Sequence, residues 1–444
     1  MDRIAFEVPT VSRDPIREAW LAALLGALAF TPGFHVQVAG EDPIFYVYEA
    51  LVLVAGLFAA RSYWMTHEAS PVRGSTLATV AVAITFIAAS ALGAEPLLSL
   101  GIARVTIEAA LLAWSVPALI ARFDRRSIVW AGVGALAVHG ALFIAALGGV
   151  TEGTYRVTLT VRNEVRMLGG SLNSAASQFV MLLPLAVVGL AFPRKLVRTM
   201  SAAGVGLASW GIVISESRAL AGGLAVVAGA FIIGVVRDTE KVGHRIRIFG
   251  FLFAVGVLVA GFTPQLVDAA NLAYDGIVSI LTFGDSGGGV GEEPEPPEDV
   301  DERNESSDLR RRAAWDLAME DFLSNPILGT GFRQRFLEGA RKFFAHNFMF
   351  ENLAGTGTLG TLSFLALIGV YSIGWFRSRW GYARIVIASG VIAGLSIALV
   401  QPFLNTSHHF AGVWWVMLAI GASSSLRLPV GADETPAYED EVDP

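Results

Sequence analysis

The sequence predicts an all-α, polytopic membrane protein with about twelve spanning helices and one large loop outside the bilayer. Three observations predict it. The 444 residues are 54% hydrophobic and only 16% charged, with a mean hydropathy of +0.56, far from the balance of a soluble domain. The apolar residues fall into runs near the roughly 20 residues that a spanning helix needs. Finally, the short loops between runs are alternately basic, the asymmetry that orients membrane proteins.

In chain order the expected spans are 17–34, 44–60, 75–93, 97–120, 128–148, 174–192, 199–215, 219–236 and 247–263, followed by 353–376, 384–401 and 411–426. Arg13 and Arg17 precede the first run, which leads straight into the multi-span pattern without a small-residue cleavage site, so it does not read as a cleaved signal. With the N-terminus inside, the inward loops carry Arg61 and Arg73, then Arg122, Arg125 and Arg126, then Arg194, Lys195 and Arg198. The next two carry Arg237, Lys241, Arg245 and Arg247, then Arg377, Arg379 and Arg384, which places both termini in the cytoplasm.

This orientation divides the chain into spans 1–9 over residues 1–263, an extracytoplasmic loop over 264–350, spans 10–12 over 351–426 and an acidic cytoplasmic tail over 427–444. Within the loop, 284–307 is rich in Gly, Pro and acid with little to bury, and reads as flexible. It is followed by "DLRRRAAWDLAMEDFLSNPILGTGF", in which Leu309, Ala313, Leu317 and Phe322 recur near helical spacing before the stop at Asn325-Pro326. A short amphipathic helix at the outer surface is expected there. A smaller outward loop, 149–173, alternates like a strand and then turns through Gly169 and Gly170.

The chain has no cysteine, which excludes disulfides and thiolate metal sites. Its net charge is −7, and its basic residues are dispersed between spans, so no nucleic-acid partner is expected.

The informative residues are the arginines on the outward side: Arg156, Arg162 and Arg166 in the smaller loop, Arg218 in "ISESRALAGG", and Arg310 to Arg312, Arg333, Arg335 and Arg341 in the large loop. An ionisable group at or inside a span is expensive and faces a partner or a polar cavity. Arginine forms a bidentate fork suited to phosphate, and several around one cavity could hold a diphosphate without a metal. Two readings of Arg218 stay open: a diphosphate ligand, or a pairing with Glu216 or lipid phosphate. Arg104, inside the fourth span, reads as the partner of Glu108 one turn on.

His346 and Asn347 stand where the large loop re-enters the membrane. Histidine exchanges a proton near neutral pH and is the default base for activating a hydroxyl; Asn347 could orient a sugar or the imidazole. Gly355, Gly357 and Gly360 follow and suit either close helix packing or close approach of a ligand. A second histidine pair, His408 and His409, has no carboxylate or third ligand nearby in sequence, so a structural or acceptor-site role is expected there in preference to a metal site.

"HNFMFENLAGTGTLG" resembles the His-Asn, nine residues, Gly-x-x-Gly pattern of the O-antigen ligase and O-antigen polymerase superfamily, through His346, Asn347, Gly357 and Gly360. Further pieces follow the family's order: the loop-to-span entry around Asn173, the "SESRALAGGLA" motif with Arg218, and the Arg, Trp, Asn-Pro-x-x-Gly-x-Gly segment. Ala219 stands where that family usually has a glycine.

The resemblance implies a GT-C-like glycosyltransferase of the cytoplasmic membrane that needs no metal or other cofactor. Its donor would be a polyprenyl-diphosphate-linked glycan, and its acceptor hydroxyl would belong to a lipid, a glycan or a protein at the outer face. It further implies that Arg218, with Arg311, Arg312 and Arg166, neutralises the leaving diphosphate and that His346 activates the acceptor. Asn347, Arg341 and Asn173 would bind substrate. A ligase, a polymerase and a protein O-oligosaccharyltransferase share these motifs. A transporter or flippase of anionic substrates would instead need midplane charges, broken helices in matching positions and internal repeats, and no repeat is visible.

Overall fold

The computed structural model describes residues 15–31, 35–36, 45–66, 72–122, 126–147, 172–192, 195–214, 218–237, 300–333, 335–336, 342–345, 347–376, 382–399, 404 and 407–423. The expected span at 247–263 and the strand-like loop at 149–171 lie outside these residues, as does the acidic tail.

Twelve helices lie among the described residues. In chain order they are α1 (Pro15–Phe30), α2 (Val47–Thr66), α3 (Ser75–Ala91), α4 (Pro96–Arg122), α5 (Arg126–Leu147) and α6 (Leu172–Gly189). They continue with α7 (Lys195–Ile214), α8 (Arg218–Arg237), α9 (Val300–Ser324), α10 (Phe348–Phe376), α11 (Tyr382–Ala398) and α12 (His408–Ala422). Eleven of them coincide with expected spans to within a few residues. Three contain stretches long and apolar enough to cross a membrane, Pro96–Ile120, Ser127–Ile144 and Phe348–Phe376, and shorter apolar helices accompany them. The chain is an integral membrane protein built from helices. Extended structure among the described residues amounts to two antiparallel pairs of two-residue strands, His35–Val36 with Phe45–Tyr46 and Arg335–Phe336 with Lys342–Phe343.

The remaining helix, α9, is not among the helices apolar enough to cross a membrane and falls where a short amphipathic helix was expected, but it is 25 residues long. It begins at Val300, nine residues before Leu309, and so runs into the segment expected to be flexible. Its buried side carries Ala314 and Ala318; Ala318 joins Ala345 and Ala354 in a small core of their own.

Side-chain contacts fix the relative direction of the helices. Trp414 of α12 and Met181 of α6 both press on Gly394 of α11, while Met417 and Pro184 press on Gly390. Both helices therefore run antiparallel to α11. Gly223 near the start of α8 packs on Ile397, and Gly234 near its end packs on Tyr382, so α8 is antiparallel to α11 as well. Ser363 of α10 shares a 2.8 Å hydroxyl contact with Thr85 of α3, and Trp375 Nε1, further along α10, donates to the Leu418 carbonyl of α12. The result is one end of the bundle that gathers the first turns of α2, α4, α6, α8, α10 and α12 and the last turns of α3 and α11.

The opposite end collects the basic residues that flank the spans: Arg61, Arg122, Arg126, Lys195, Arg237 and Arg384. Arg384 shows how such a residue is used. Its Nε donates to the Gly421 carbonyl at 3.1 Å and Nη2 to the Ser423 carbonyl at 3.0 Å, closing the exposed carbonyls at the C-terminus of α12.

Candidate functional site at the loop end of the bundle

α10 is broken. Gly357 has φ +61° and ψ −163° inside an otherwise continuous helix, a conformation open in practice only to glycine. The break frees backbone groups, and residues 326–331 satisfy them. The Thr330 and Gly331 amides donate to the carbonyls of Ala354 and Gly355, at 2.8 and 3.1 Å. In return, the Thr358 and Leu359 amides donate to the carbonyls of Pro326 and Ile327. Non-helical backbone at membrane depth is tolerated where protein supplies such partners. This explains why "NPILGTGF" and "LAGTGTLG" carry glycines together: a Cβ on Gly329 would lie 2.6 Å from the Gly357 nitrogen.

The same loop is tied to its surroundings. The Phe332 amide donates to Ser99 Oγ of α4 at 2.8 Å, and the Ala94 amide to the Thr330 carbonyl at 3.1 Å. Phe332, fully buried, packs on Phe86 of α3. Arg333 makes a two-pronged contact with Asp321 at the end of α9, its Nε 3.2 Å from Oδ2 and its Nη2 on Oδ1. That hydrogen bond, with the carboxylate charge adding to it, raises the guanidinium above the ordinary arginine value. Arg333, counted among the outward arginines, is thereby committed to the fold.

Just ahead of the break, α10 opens with Asn347. Its Oδ1 accepts from the amides of Met349 (2.9 Å) and Phe350 (3.3 Å), and its Nδ2 donates to the Leu399 carbonyl at 2.9 Å. Asn347 is the N-cap of α10 and its link to α11. Its side chain is spent on positioning the backbone beside His346. One turn on, Glu351 is fully buried and its Oε2 accepts from the Ala345 amide at 2.7 Å.

Some of the expected site residues lie on described helices that meet at this end. Arg218 is the first residue of α8, and its helix packs through Gly223 on Val180 of α6 and Ile397 of α11. Asn173 lies in the first turn of α6. Arg311 and Arg312, half-buried on α9, each already have an interaction partner within the chain. One turn on from them, Trp315 stacks on Phe350 of α10 with ring centroids 5.4 Å apart. The helix starts that carry Arg218, Asn173 and Asn347 and the middle of α9 thus share one end of the bundle. His346, Arg166 and Arg341 lie outside the described residues, as do the side chains of Arg218 and Asn173.

A second polar group at this end was not legible in the sequence. Arg104 Nη2 sits 3.0 Å from Glu49 Oε1, and its Nε is 3.7 Å from Glu108 Oε1. The expected pairing with Glu108 is there, but Glu49 of α2 is the closer partner. His408 of α12 places Nδ1 3.0 Å from Glu108 Oε2 and Nε2 4.0 Å from Glu49 Oε1, so its ring bridges the two carboxylates. The carboxylates missing from the sequence neighbourhood of His408 arrive from α2 and α4. Donor atoms of Glu49, Glu108 and His408 lie within 4.8 Å of one another, a spacing that could hold a metal ion. Here Arg104 already supplies the positive charge.

Fold and site together define a class: a helical membrane protein in which a broken helix and the loop after α9 form one end of the bundle, beside the helix start that carries Arg218. Residues 203–365 match the family model described as O-antigen ligase, so this part of the chain is similar to that family. The match runs from α7 into α10 and takes in Arg218, Arg311, Arg312, His346, Asn347, Gly357 and Gly360; it leaves out Arg166, Asn173 and the Glu49–Arg104–Glu108–His408 group. No curated protein matches the chain.

Proposed function

We propose that the protein is a membrane glycosyltransferase of the O-antigen ligase type. It moves a glycan from a polyprenyl-diphosphate carrier to an acceptor hydroxyl on the outer face of the cytoplasmic membrane. The observation that carries this reading is the convergence of the first turns of α8 and α10 with α9 at one end of the bundle, within the stretch that matches the ligase family.

In this reading residue stretch 247–263 supplies the twelfth span, both termini are cytoplasmic, and the basic end of the bundle faces inward by the positive-inside rule. His346 takes the proton of the acceptor hydroxyl as its oxygen attacks the anomeric carbon. The bond from that carbon to the diphosphate oxygen breaks, and the anomeric centre inverts. Arg218, with Arg311, Arg312 and Arg166, receives the charge that develops on the leaving diphosphate, the role in which preorganised electrostatics contributes most. No metal takes part. Arg341 and Asn173 contact the glycan or its carrier, and Asn347, next to His346 in the chain, caps α10.

The test supplies purified protein with lipid-linked glycan and acceptor in the presence of a chelator. Transfer by the wild type, with a loss of two orders of magnitude or more in His346→Ala and Arg218→Ala, is expected. Undiminished transfer by both variants would sink the site assignment, and a requirement for added divalent metal would sink the mechanism. Ligase, polymerase and protein-glycosylating activities differ only in acceptor, so the product formed from a panel of lipid, glycan and peptide acceptors distinguishes them.

A further inference from the structure

We propose that Glu351 is a positioning residue for His346: its buried carboxylate, together with the Asn347 cap, clamps the backbone on both sides of the histidine. The inference rests on the reading of His346 as the acceptor-activating base.

The geometry is specific. Glu351 is fully buried in the first turn of α10, where an uncompensated carboxylate would be costly. Two features offset that cost. The positive end of α10 favours negative charge in its first turn, and the Ala345 amide donates a short, charge-assisted bond of 2.7 Å to Oε2. The Glu351 amide in turn donates to the Asn347 carbonyl at 3.0 Å. Asn347 alone caps the helix by accepting from Met349 and Phe350, so the cap does not require Glu351. What the carboxylate adds is a tether on the residue that precedes the histidine. The two chain neighbours of the histidine, Ala345 and Asn347, are therefore both fastened to the same helical turn. A general base must be oriented closely to be effective, and a displacement of about 1 Å can cost on the order of a hundredfold in rate.

The predicted signature separates positioning from mere stability. Glu351→Ala, purified and monodisperse, should lower kcat about tenfold to a hundredfold with the donor KM unchanged. Glu351→Gln retains an acceptor at the same reach and should recover most of the rate. Glu351→Asp draws the carboxylate back by one methylene and should not. In a His346→Gly background, where added imidazole replaces the tethered base, the rescued rate should be the same with or without the additional Glu351→Ala change, because a free base needs no tether. A wild-type kcat in Glu351→Asp, or a raised donor KM at unchanged kcat, overturns the proposal. So does an imidazole-rescued rate that falls with Glu351→Ala. If Glu351→Ala does not fold, the Gln and Asp variants carry the comparison. Should His346→Ala itself retain full activity, the functional reading fails; should it lose activity while Glu351→Asp keeps it, only the positioning role fails.

Discussion

Gly329 and Gly357 meet backbone to backbone at the break in α10: a Cβ on Gly329 would lie 2.6 Å from the Gly357 nitrogen, and one on Gly357 would lie 2.4 Å from the Ile327 carbonyl oxygen. Both have positive φ, +73° and +61°. The loop after α9 and the helix after His346 are thus one construction. Damage to either side should be felt at the entrance.

Gly357→Ala should be among the most destabilising single changes in the chain. It forces a side chain into a conformation and a space that exclude one, with an expected cost of about 3 kcal/mol or more. Gly369→Ala, in the same helix with nothing within 4 Å of its Cβ position, should be neutral or slightly stabilising. Thermal unfolding in detergent compares the two. Equal melting temperatures would contradict the described break.

Arg333→Ala removes the partner of Asp321, whose side chain is 9% exposed. Loss of this charge-assisted pair should cost about 1 to 3 kcal/mol and loosen α9 from the loop. The pH dependence has a definite sign. The guanidinium is raised by its hydrogen bond to Asp321, so the stability that it contributes is fully present below the ordinary arginine range and is lost only as pH rises beyond it. The stability difference between wild type and Arg333→Ala should therefore show no contribution from arginine titration across the neutral range. Unfolding of both proteins between pH 6 and pH 9 in roughly unit steps checks this.

Arg104→Ala should also destabilise, because it leaves Glu49 and Glu108 facing each other with His408 between them. Removing one partner of a buried charge group typically costs about 3 to 5 kcal/mol, and the 39% exposure of the Arg104 side chain points to the low end. Arg104→Ala with Glu49→Gln should recover part of the loss, as thermal unfolding of the single and double variants would show.

The same variant should gain a metal response. With the guanidinium gone, two carboxylates and an imidazole remain within 4.8 Å, and Zn²⁺ favours such N and O donors. Added Zn²⁺ should raise the melting temperature of Arg104→Ala and leave the wild type unchanged. A metal response in the wild type would show that Arg104 yields to a cation.

Most of the helices were legible because each is marked by an apolar run in the sequence, and α1 to α8 and α10 to α12 fall on such runs, three of them long enough to cross a membrane. The pairing of Arg104 with Glu108 was legible because it is local, one helical turn apart. Glu49 was not, since nothing in a one-dimensional reading relates position 49 to positions 104 and 408. Asn347 was legible as a polar residue beside His346, but its use as a helix cap bound to Leu399 depends on where α11 ends.

By itself the sequence determined the class of protein, the helical content, the segregation of basic residues to one end and the histidine-glycine pattern of the ligase superfamily. These are properties of composition and short-range periodicity. Tertiary structure alone decided that the two glycine motifs close one break, that Glu351 holds Ala345, and that His408 bridges Glu49 and Glu108. Each of these joins groups whose approach is set by helix packing and by the need to satisfy buried polar atoms, which local spacing does not encode.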